Sequence, residues 1–93
     1  MASREAMEFR VRGRVQGVGF RYYTRHAASL YGITGWVRNE PDGSVLVRAE
    51  GTPDQLQKMK EFLEEGPRYA RVAHVEARRV PAMGTYSSFV VEY

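Results

Sequence analysis

The sequence predicts an α+β fold in which two helices cover one face of an antiparallel sheet. Its 93 residues are enough for one compact domain. Segments with an apolar residue at every second position are separated by two segments whose apolar residues recur at helical spacing. Glycine, proline and aspartate stand at the boundaries between these segments, as is typical of turns and helix ends.

The first half of the chain predicts a strand, a helix and a hairpin. Met7, Phe9 and Val11 alternate with charged residues, which indicates a strand with one buried face. Apolar residues then recur at helical spacing until Gly32, a typical left-handed end of a helix. The predicted bounds are Met7 to Gly13 or Arg14 for the first strand, Phe20 to Gly32 for the helix, and Gly35 to Arg38 and Ser44 to Glu50 for the hairpin strands around the turn Asn39-Glu40-Pro41-Asp42-Gly43.

The second half predicts another helix and two strands. Thr52-Pro53-Asp54 combines an N-cap residue, a first-turn proline and an acidic residue, so the second helix begins there. Gly66-Pro67 ends it. Alternation predicts one further strand containing Ala73, Val75 and Ala77, and a short last strand containing Phe89, Val91 and Tyr93.

This order of elements predicts a ferredoxin-like βαββαβ sandwich with a short extra C-terminal edge strand. Right-handed crossovers put both helices on the same face of the sheet. The first two strands then run in the same direction with the third between them, so their ends lie about 9 to 10 Å apart at one edge. Residues 1–6 are predicted to be a flexible N-terminal extension and residues 7–93 a single domain.

Composition narrows the function classes. The chain has no cysteine, which excludes disulfides, a thiolate nucleophile and a thiolate metal site, and favours a cytoplasmic location. The N-terminal stretch has no apolar run, so we expect neither a signal peptide nor a membrane span. His26 and His74 have no carboxylate at ligand spacing, so we predict no metal site and no cofactor. A net charge of +3 favours anionic partners, either phosphate-bearing metabolites or nucleic acid.

The loop between the first strand and the first helix carries an anion-binding pattern. Residues 13–21 read Gly-Arg-Val-Gln-Gly-Val-Gly-Phe-Arg, and glycines allow close approach of a ligand to a helix N-terminus. Arg21 in the first helical turn has a planar fork that suits two phosphate oxygens. Tyr22 stands where the dinucleotide fingerprint requires glycine, and the Walker pattern is also absent. The topology brings Asn39 to the same edge, although a glycine-rich turn can also be only a tight connection.

Three motifs closely resemble the acylphosphatase family, and the resemblance covers nearly the whole chain. They are residues 13–21, Gly35-Trp-Val-Arg-Asn39 and Asp42-Gly43-Ser-Val45. The resemblance implies the same sandwich fold and metal-independent hydrolysis of an acyl phosphate to a carboxylate and inorganic phosphate, which would also inhibit. In some members the terminal carboxylate lies near the catalytic arginine, a place that Tyr93 would take. Because a 93-residue chain with a complete site needs no partner, we also expect a monomer. The implied phosphate-binding residues are Val15, Gln16, Gly17, Val18, Gly19 and Phe20 through their backbone amides, together with Arg21, and Asn39 positions the attacking water.

Two other function classes fit the fold. An RNA-binding module would use the open face of the sheet, and basic charge suits it. However, the strand predicted over residues 44–50 lacks the aromatic side chains on which bases stack. A ligand-sensing domain is the third interpretation, because fold alone does not determine function. We therefore expect a small-molecule acyl phosphate as the partner, and neither a nucleic acid nor a membrane.

Overall fold

In the computed structural model, which describes residues 3–93, two helices pack on one face of a five-stranded sheet. The predicted fold class and order of elements are confirmed. The elements are β1 (Glu5–Arg14), α1 (Phe20–Tyr31), β2 (Thr34–Asn39), β3 (Val45–Gly51), α2 (Pro53–Glu65), β4 (Arg71–Val80) and β5 (Phe89–Val91).

The sheet order is β4-β1-β3-β2-β5, and it determines where the loops meet. β3 is antiparallel to both β1 and β2, so these two strands run in the same direction. Val45 of β3 lies opposite both Val11 of β1 and Asn39 of β2. The loop after β1 therefore reaches the same edge as the end of β2. The extra strand β5 lies outside β2 and is parallel to it, which makes the sheet mixed.

The core lies between the helices and the inward face of the central strands. Phe9 and Val11 of β1 are almost fully buried, as the alternation predicts. Full burial of each large apolar side chain contributes about 1.5 to 3 kcal/mol, so this layer supplies much of the stability. The other buried members come from β2, β3, the two helices and the adjacent loops and are Val15, Phe20, Ala27, Ala28, Ile33, Val37, Val45, Val47, Ala49, Leu56, Met59 and Leu63.

Strand β1 begins at Glu5, two residues before the predicted start at Met7. Glu5 pairs with Gly51 of β3, and the buried Ala6 pairs with Glu50 of β3 and Val80 of β4. The residues before Met7 show no apolar alternation, and their place in the sheet depends on pairing with residues far away in the chain. Of the predicted extension, residues 1 and 2 lie outside the described residues, and residues 5 and 6 are part of the sheet.

A bulge interrupts the pairing of β1 with β4. The register shifts between Arg12 and Gly13, so that Ala73 has no partner in β1. Ala73 is exposed, whereas Val72 packs against the core, and the predicted alternation from Ala73 to Val75 does not hold here. A Cβ atom on Gly13 would lie 2.1 Å from the carbonyl oxygen of Arg71. Only glycine fits at this close approach.

The two helices end at Gly32 and Gly66, as predicted, but the starts of the two helices differ from each other. Gly32 closes α1 in the left-handed conformation with its N–H bonded to the Ala28 carbonyl. At the start of α2, Thr52 and Gln55 form a reciprocal capping box. Gly19 precedes α1 without any side-chain cap. Neither helix in the described part of the chain is long and apolar enough to cross a membrane.

The connection 81–88 from β4 to β5 packs on the sheet face opposite the helices. The buried carboxylate of Glu50 accepts hydrogen bonds from the backbone N–H groups of Met83 and Gly84, at 2.9 and 3.1 Å. The indole Nε1 of Trp36 donates to the hydroxyl of Tyr86 at 3.3 Å. This face is therefore partly covered by the chain itself.

Candidate active site

A small cavity opens at the sheet edge where β1 and β2 end. Its volume is about 110 Å³. The loop between β1 and α1, the first turn of α1 and the last residue of β2 form its wall. The lining residues are Val15, Gly17, Gly19, Phe20, Arg21, Tyr22 and Asn39.

The loop over residues 15–19 presents unpaired backbone donors to this cavity. Val15 and Phe20 are buried at the two ends of the loop, and Gly17 and Gly19 have φ angles of 76° and 78°. Within residues 3–93, no backbone N–H from position 15 to 20 donates a hydrogen bond, and the first helical bond runs from the Tyr23 N–H to the Gly19 carbonyl at 3.0 Å. Successive free N–H groups at a helix N-terminus form a favourable environment for an anion.

The side chain of Gln16 connects the loop to the β2–β3 turn. Its Nε2 donates to the carbonyl oxygens of Glu40 and Ser44, at 2.8 and 2.9 Å. Asp42 stabilises that turn by accepting hydrogen bonds from the backbone N–H of Ser44 at 2.9 Å and from its hydroxyl at 2.5 Å. The loop and the turn that follows Asn39 are thus held together. Gln16 is a residue whose side-chain role was not predicted, although a polar residue among glycines was visible in the sequence.

Arg21 contacts neutral groups. Its Nη1 donates to the backbone carbonyl of Glu92 at 2.8 Å, and its guanidinium carbon lies 4.6 Å from the centre of the Tyr93 ring. Among the described residues no carboxylate forms an ion pair with Arg21, so its charge is not neutralised. Tyr93 lies next to Arg21, as expected, but it contacts the guanidinium through its aromatic ring and not through the terminal carboxylate. The hydroxyls of Tyr22 and Tyr93 also form a short hydrogen bond.

A positive charge in the first turn of α1 is unfavourable without a partner. The helix dipole already places partial positive charge at this end, and the first turn of α1 contains no acidic residue. Phosphate bound between Arg21 and the loop N–H groups would compensate both charges.

Asn39 is the last residue of β2 and is half-buried at the cavity wall. Its backbone continues the ladder with Val45. In the described part of the chain, its side-chain amide has no hydrogen-bond partner. An amide provides both an acceptor and donors, so Asn39 can bind and orient a water molecule.

The sequence-predicted site residues do not all contribute side chains to the cavity. Those of Gln16 and Val18 point elsewhere, since Gln16 bonds the turn and Val18 packs against the core. Their predicted part is limited to backbone N–H groups. His26 and His74 are exposed on α1 and β4, and residues 3–93 contain no cluster of three or more His, Asp or Glu side chains suited to a metal.

A family model described as Acylphosphatase matches residues 7–91. The chain belongs to the acylphosphatase family. An acylphosphatase of Salinibacter ruber is 50% identical over 82 residues, covering 88% of this chain and 86% of the relative. One of Pseudomonas paraeruginosa is 51% identical over 81 residues, covering 87% and 88%. The crystal structure of acylphosphatase from Bacillus subtilis superposes with a TM-score of 0.91 at 32% identity, covering 96% of this chain and 99% of that one.

These matches confirm the predicted family, which is a family of hydrolases. They span both the loop 13–21 and the strand that ends at Asn39. Acylphosphatase membership implies a small-molecule acyl phosphate as substrate.

Proposed function

We propose that this chain hydrolyses acyl phosphates to a carboxylate and inorganic phosphate without a metal ion. The observation that carries the proposal is the convergence of unpaired loop N–H groups, the un-neutralised Arg21 and the free amide of Asn39 on one cavity of about 110 Å³. A monomer is part of the same proposal, because these groups all come from one chain. A cytoplasmic location is also part of it, because a sequence without cysteine suits a reducing compartment.

The leaving group explains why so few residues suffice. An acyl phosphate releases a carboxylate, whose conjugate acid has a pKa of about 4. At neutral pH this group leaves without a proton from a general acid. The enzyme's work is therefore to stabilise charge on the phosphoryl oxygens and to position a water in line.

Backbone N–H groups of residues 15–20 and the guanidinium of Arg21 supply the charge stabilisation. Such donors do not reorganise during the reaction, because the loop is held by Gln16 and by its buried ends. Removing one such donor typically costs about 2.7 to 4 kcal/mol of transition-state stabilisation. An arginine on a transferred phosphoryl group contributes roughly three to five orders of magnitude in rate.

Asn39 orients the attacking water. Its amide is too weak a base to remove a proton, but its oxygen can accept a hydrogen bond from water while its nitrogen donates to the phosphate. The proton lost by the water then passes to a phosphate oxygen. Asn39 thus contributes by holding the water on the side of the phosphorus opposite the leaving carboxylate.

The test is hydrolysis of benzoyl phosphate in the presence of a metal chelator, followed by ultraviolet absorbance. We expect saturable turnover by the wild type. Arg21→Gln and Asn39→Ala should each lower kcat by at least about 100-fold, since each removes a preorganised contact to the reacting groups. Arg21→Gln should also weaken inhibition by inorganic phosphate, whereas Asn39→Ala should retain it.

Arg68→Gln is the matched control, because Arg68 is exposed, its guanidinium lies 5.6 Å from the centre of the Tyr69 ring, and it does not line the cavity. It should keep wild-type kinetics. A folded Arg21→Gln or Asn39→Ala protein with most of its activity would refute the role of that residue. A requirement for a divalent metal would refute the metal-free mechanism.

Binding of RNA at the open sheet face is not favoured. Basic residues on this face are already paired with carboxylates, for example Arg10 with Glu40 at 3.6 Å and Arg12 with Glu76 at 3.0 Å. Paired arginines release few counterions on contact with a phosphate backbone, so they add little to RNA affinity. Salt-sensitive RNA binding without turnover would favour this alternative over the enzyme.

A further inference from the structure

A second, larger concavity adjoins the catalytic cavity along α1. This groove has a volume of about 630 Å³ and runs between α1 and the segment that leads into β5. Tyr22 lines both spaces and therefore stands at the boundary between the cavity and the groove. We name it the acyl groove. Its lining includes Tyr22, Arg25, His26, Ser29, Ser87 and Phe89.

The acyl groove is positively charged and mixed in polarity. Arg25 is exposed, lies 5.2 Å from the centre of the Tyr22 ring, and forms no ion pair within residues 3–93. The groove wall contains no carboxylate. Hydroxyls of Ser29 and Ser87 and the ring of Phe89 complete a surface suited to a small organic group with one anionic end.

The spacing of the two arginines matches a substrate with two anionic ends. Arg21 and Arg25 are four residues apart on α1, so their Cα atoms are separated by about 6 Å along the helix axis and their side chains share one face. An acyl phosphate whose phosphate is held at Arg21 can extend its acyl substituent along α1 to Arg25. A single guanidinium fork matches one carboxylate.

We propose that the acyl groove receives the acyl portion of the substrate and that Arg25 selects acyl phosphates carrying a second carboxylate. This inference rests on the proposed hydrolysis of acyl phosphates and adds a substrate class to it. Arg25 is a specificity residue here, because it contacts the acyl group and not the reacting atoms.

The test compares benzoyl phosphate with its 3-carboxy and 4-carboxy derivatives at low salt and at one fixed pH. The ring carboxylate cannot cyclise onto the acyl phosphate and lies beyond the phosphate by a distance comparable to the arginine spacing. We expect kcat/KM of the wild type to be about 3- to 10-fold higher for at least one carboxylated substrate, chiefly through KM. Arg25→Gln should reduce this ratio to about 1, and added salt should reduce it in the wild type.

The ratio of kcat/KM for a carboxylated substrate to kcat/KM for benzoyl phosphate separates selectivity from general loss of activity. Arg68→Gln is again the matched control, because Arg68 stacks on Tyr69 at 5.6 Å outside the groove, and it should keep the wild-type ratio. Equal kcat/KM of the wild type for benzoyl phosphate and both carboxylated derivatives, or an unchanged ratio in Arg25→Gln, would overturn the inference while leaving the proposed function intact. Failure of the wild type to hydrolyse benzoyl phosphate would overturn both.

Discussion

At the scale of single residues, Arg21 on α1 differs from most arginines of the sheet in the groups that its guanidinium contacts. Arg12, Arg48 and Arg78 lie within ion-pair distance of carboxylates. Arg21 is held instead by the Glu92 carbonyl and the Tyr93 ring, which leave its formal charge intact. A carboxylate partner would compete with a bound phosphate, so neutral partners suit the phosphate-binding role proposed for Arg21.

Arg21→Lys tests whether the shape of the guanidinium matters beyond its charge. Lysine keeps one positive charge but cannot bond the Glu92 carbonyl and two phosphate oxygens in one plane. We expect kcat/KM for benzoyl phosphate to fall by about 100-fold or more, with phosphate inhibition partly retained. Steady-state kinetics against Arg68→Lys provide the measurement and the control. Retention of kcat/KM within threefold would show that a point charge is sufficient.

Arg21 and Asn39 could be predicted as candidates from their residue types and from the motifs around them. The hydrogen bonds that hold Arg21 and the loop in place could not be predicted. Arg21 bonds a backbone carbonyl 71 positions away, and Gln16 bonds carbonyls 24 and 28 positions away. Every residue has such a carbonyl, so the partner cannot be recognised from residue type, and only the folded topology selects it.

At the scale of elements, the starts of the two helices are built for different purposes. α2 has a capping box from Thr52 and Gln55 and an acidic residue, Asp54, in its first turn. α1 starts at the candidate active-site cavity without a side-chain cap or an acidic first-turn residue. Unsatisfied N–H groups reduce the stability of a helix but are the donors that an anion site requires. The N-terminus of α2 is thus stabilised by capping, whereas that of α1 keeps unpaired N–H groups.

Thr52→Ala should reduce stability without affecting catalysis. The Thr52 hydroxyl accepts a hydrogen bond from the Gln55 N–H at 3.3 Å, and the Gln55 side chain accepts one from the Thr52 N–H at 2.8 Å. Loss of the hydroxyl should lower the free energy of unfolding by about 1 kcal/mol, measured by urea denaturation. Thr52→Ser retains the acceptor and should stay close to wild type. A loss of kcat in Thr52→Ala with unchanged stability would contradict this separation.

Local signals located the helices well and the sheet edges less well. Thr52-Pro53 and Gly66 bound α2, and Gly32 closes α1, because caps and left-handed turns depend on a few adjacent residues. The bulge at Ala73 and the parallel pairing of β5 depend on strands far away in the chain. Period-two alternation contains no information about either, since it specifies a face of the sheet but not a partner or a direction.

At the scale of the whole molecule, buried or bonded carboxylates hold the segments that surround the sheet. Burial by itself raises the pKa of Glu50, but the Met83 and Gly84 N–H groups and Arg48 outweigh it and lower the pKa below its usual value. Hydrogen bonds from the Ser44 hydroxyl and N–H, aided by Arg12, lower the pKa of Asp42 to about 2. Glu50 thereby secures the connection 81–88, and Asp42 secures the turn next to the active site.

These two carboxylates should make the fold sensitive to acid. A carboxyl group whose pKa is lower in the folded than in the unfolded state stabilises the fold above its unfolded pKa and loses that contribution as pH falls through its folded pKa. The ordinary values are 4.5 for Glu50 and 3.8 for Asp42, and Asp42 falls to about 2 when folded. The free energy of unfolding should therefore decline from about pH 5 toward pH 2.

Removing the two titrating groups should flatten that decline. Glu50→Gln and Asp42→Asn should each be less stable than wild type at neutral pH, because each loses charge-assisted hydrogen bonds, and for the buried Glu50 the loss should be about 1.5 to 3 kcal/mol. Each variant should then change less with pH below about 5, measured by urea denaturation at a series of pH values. Glu65→Gln, an exposed position on α2, should follow the wild-type curve. Curves for the Glu50 and Asp42 variants that run parallel to wild type would mean that other groups cause the acid sensitivity.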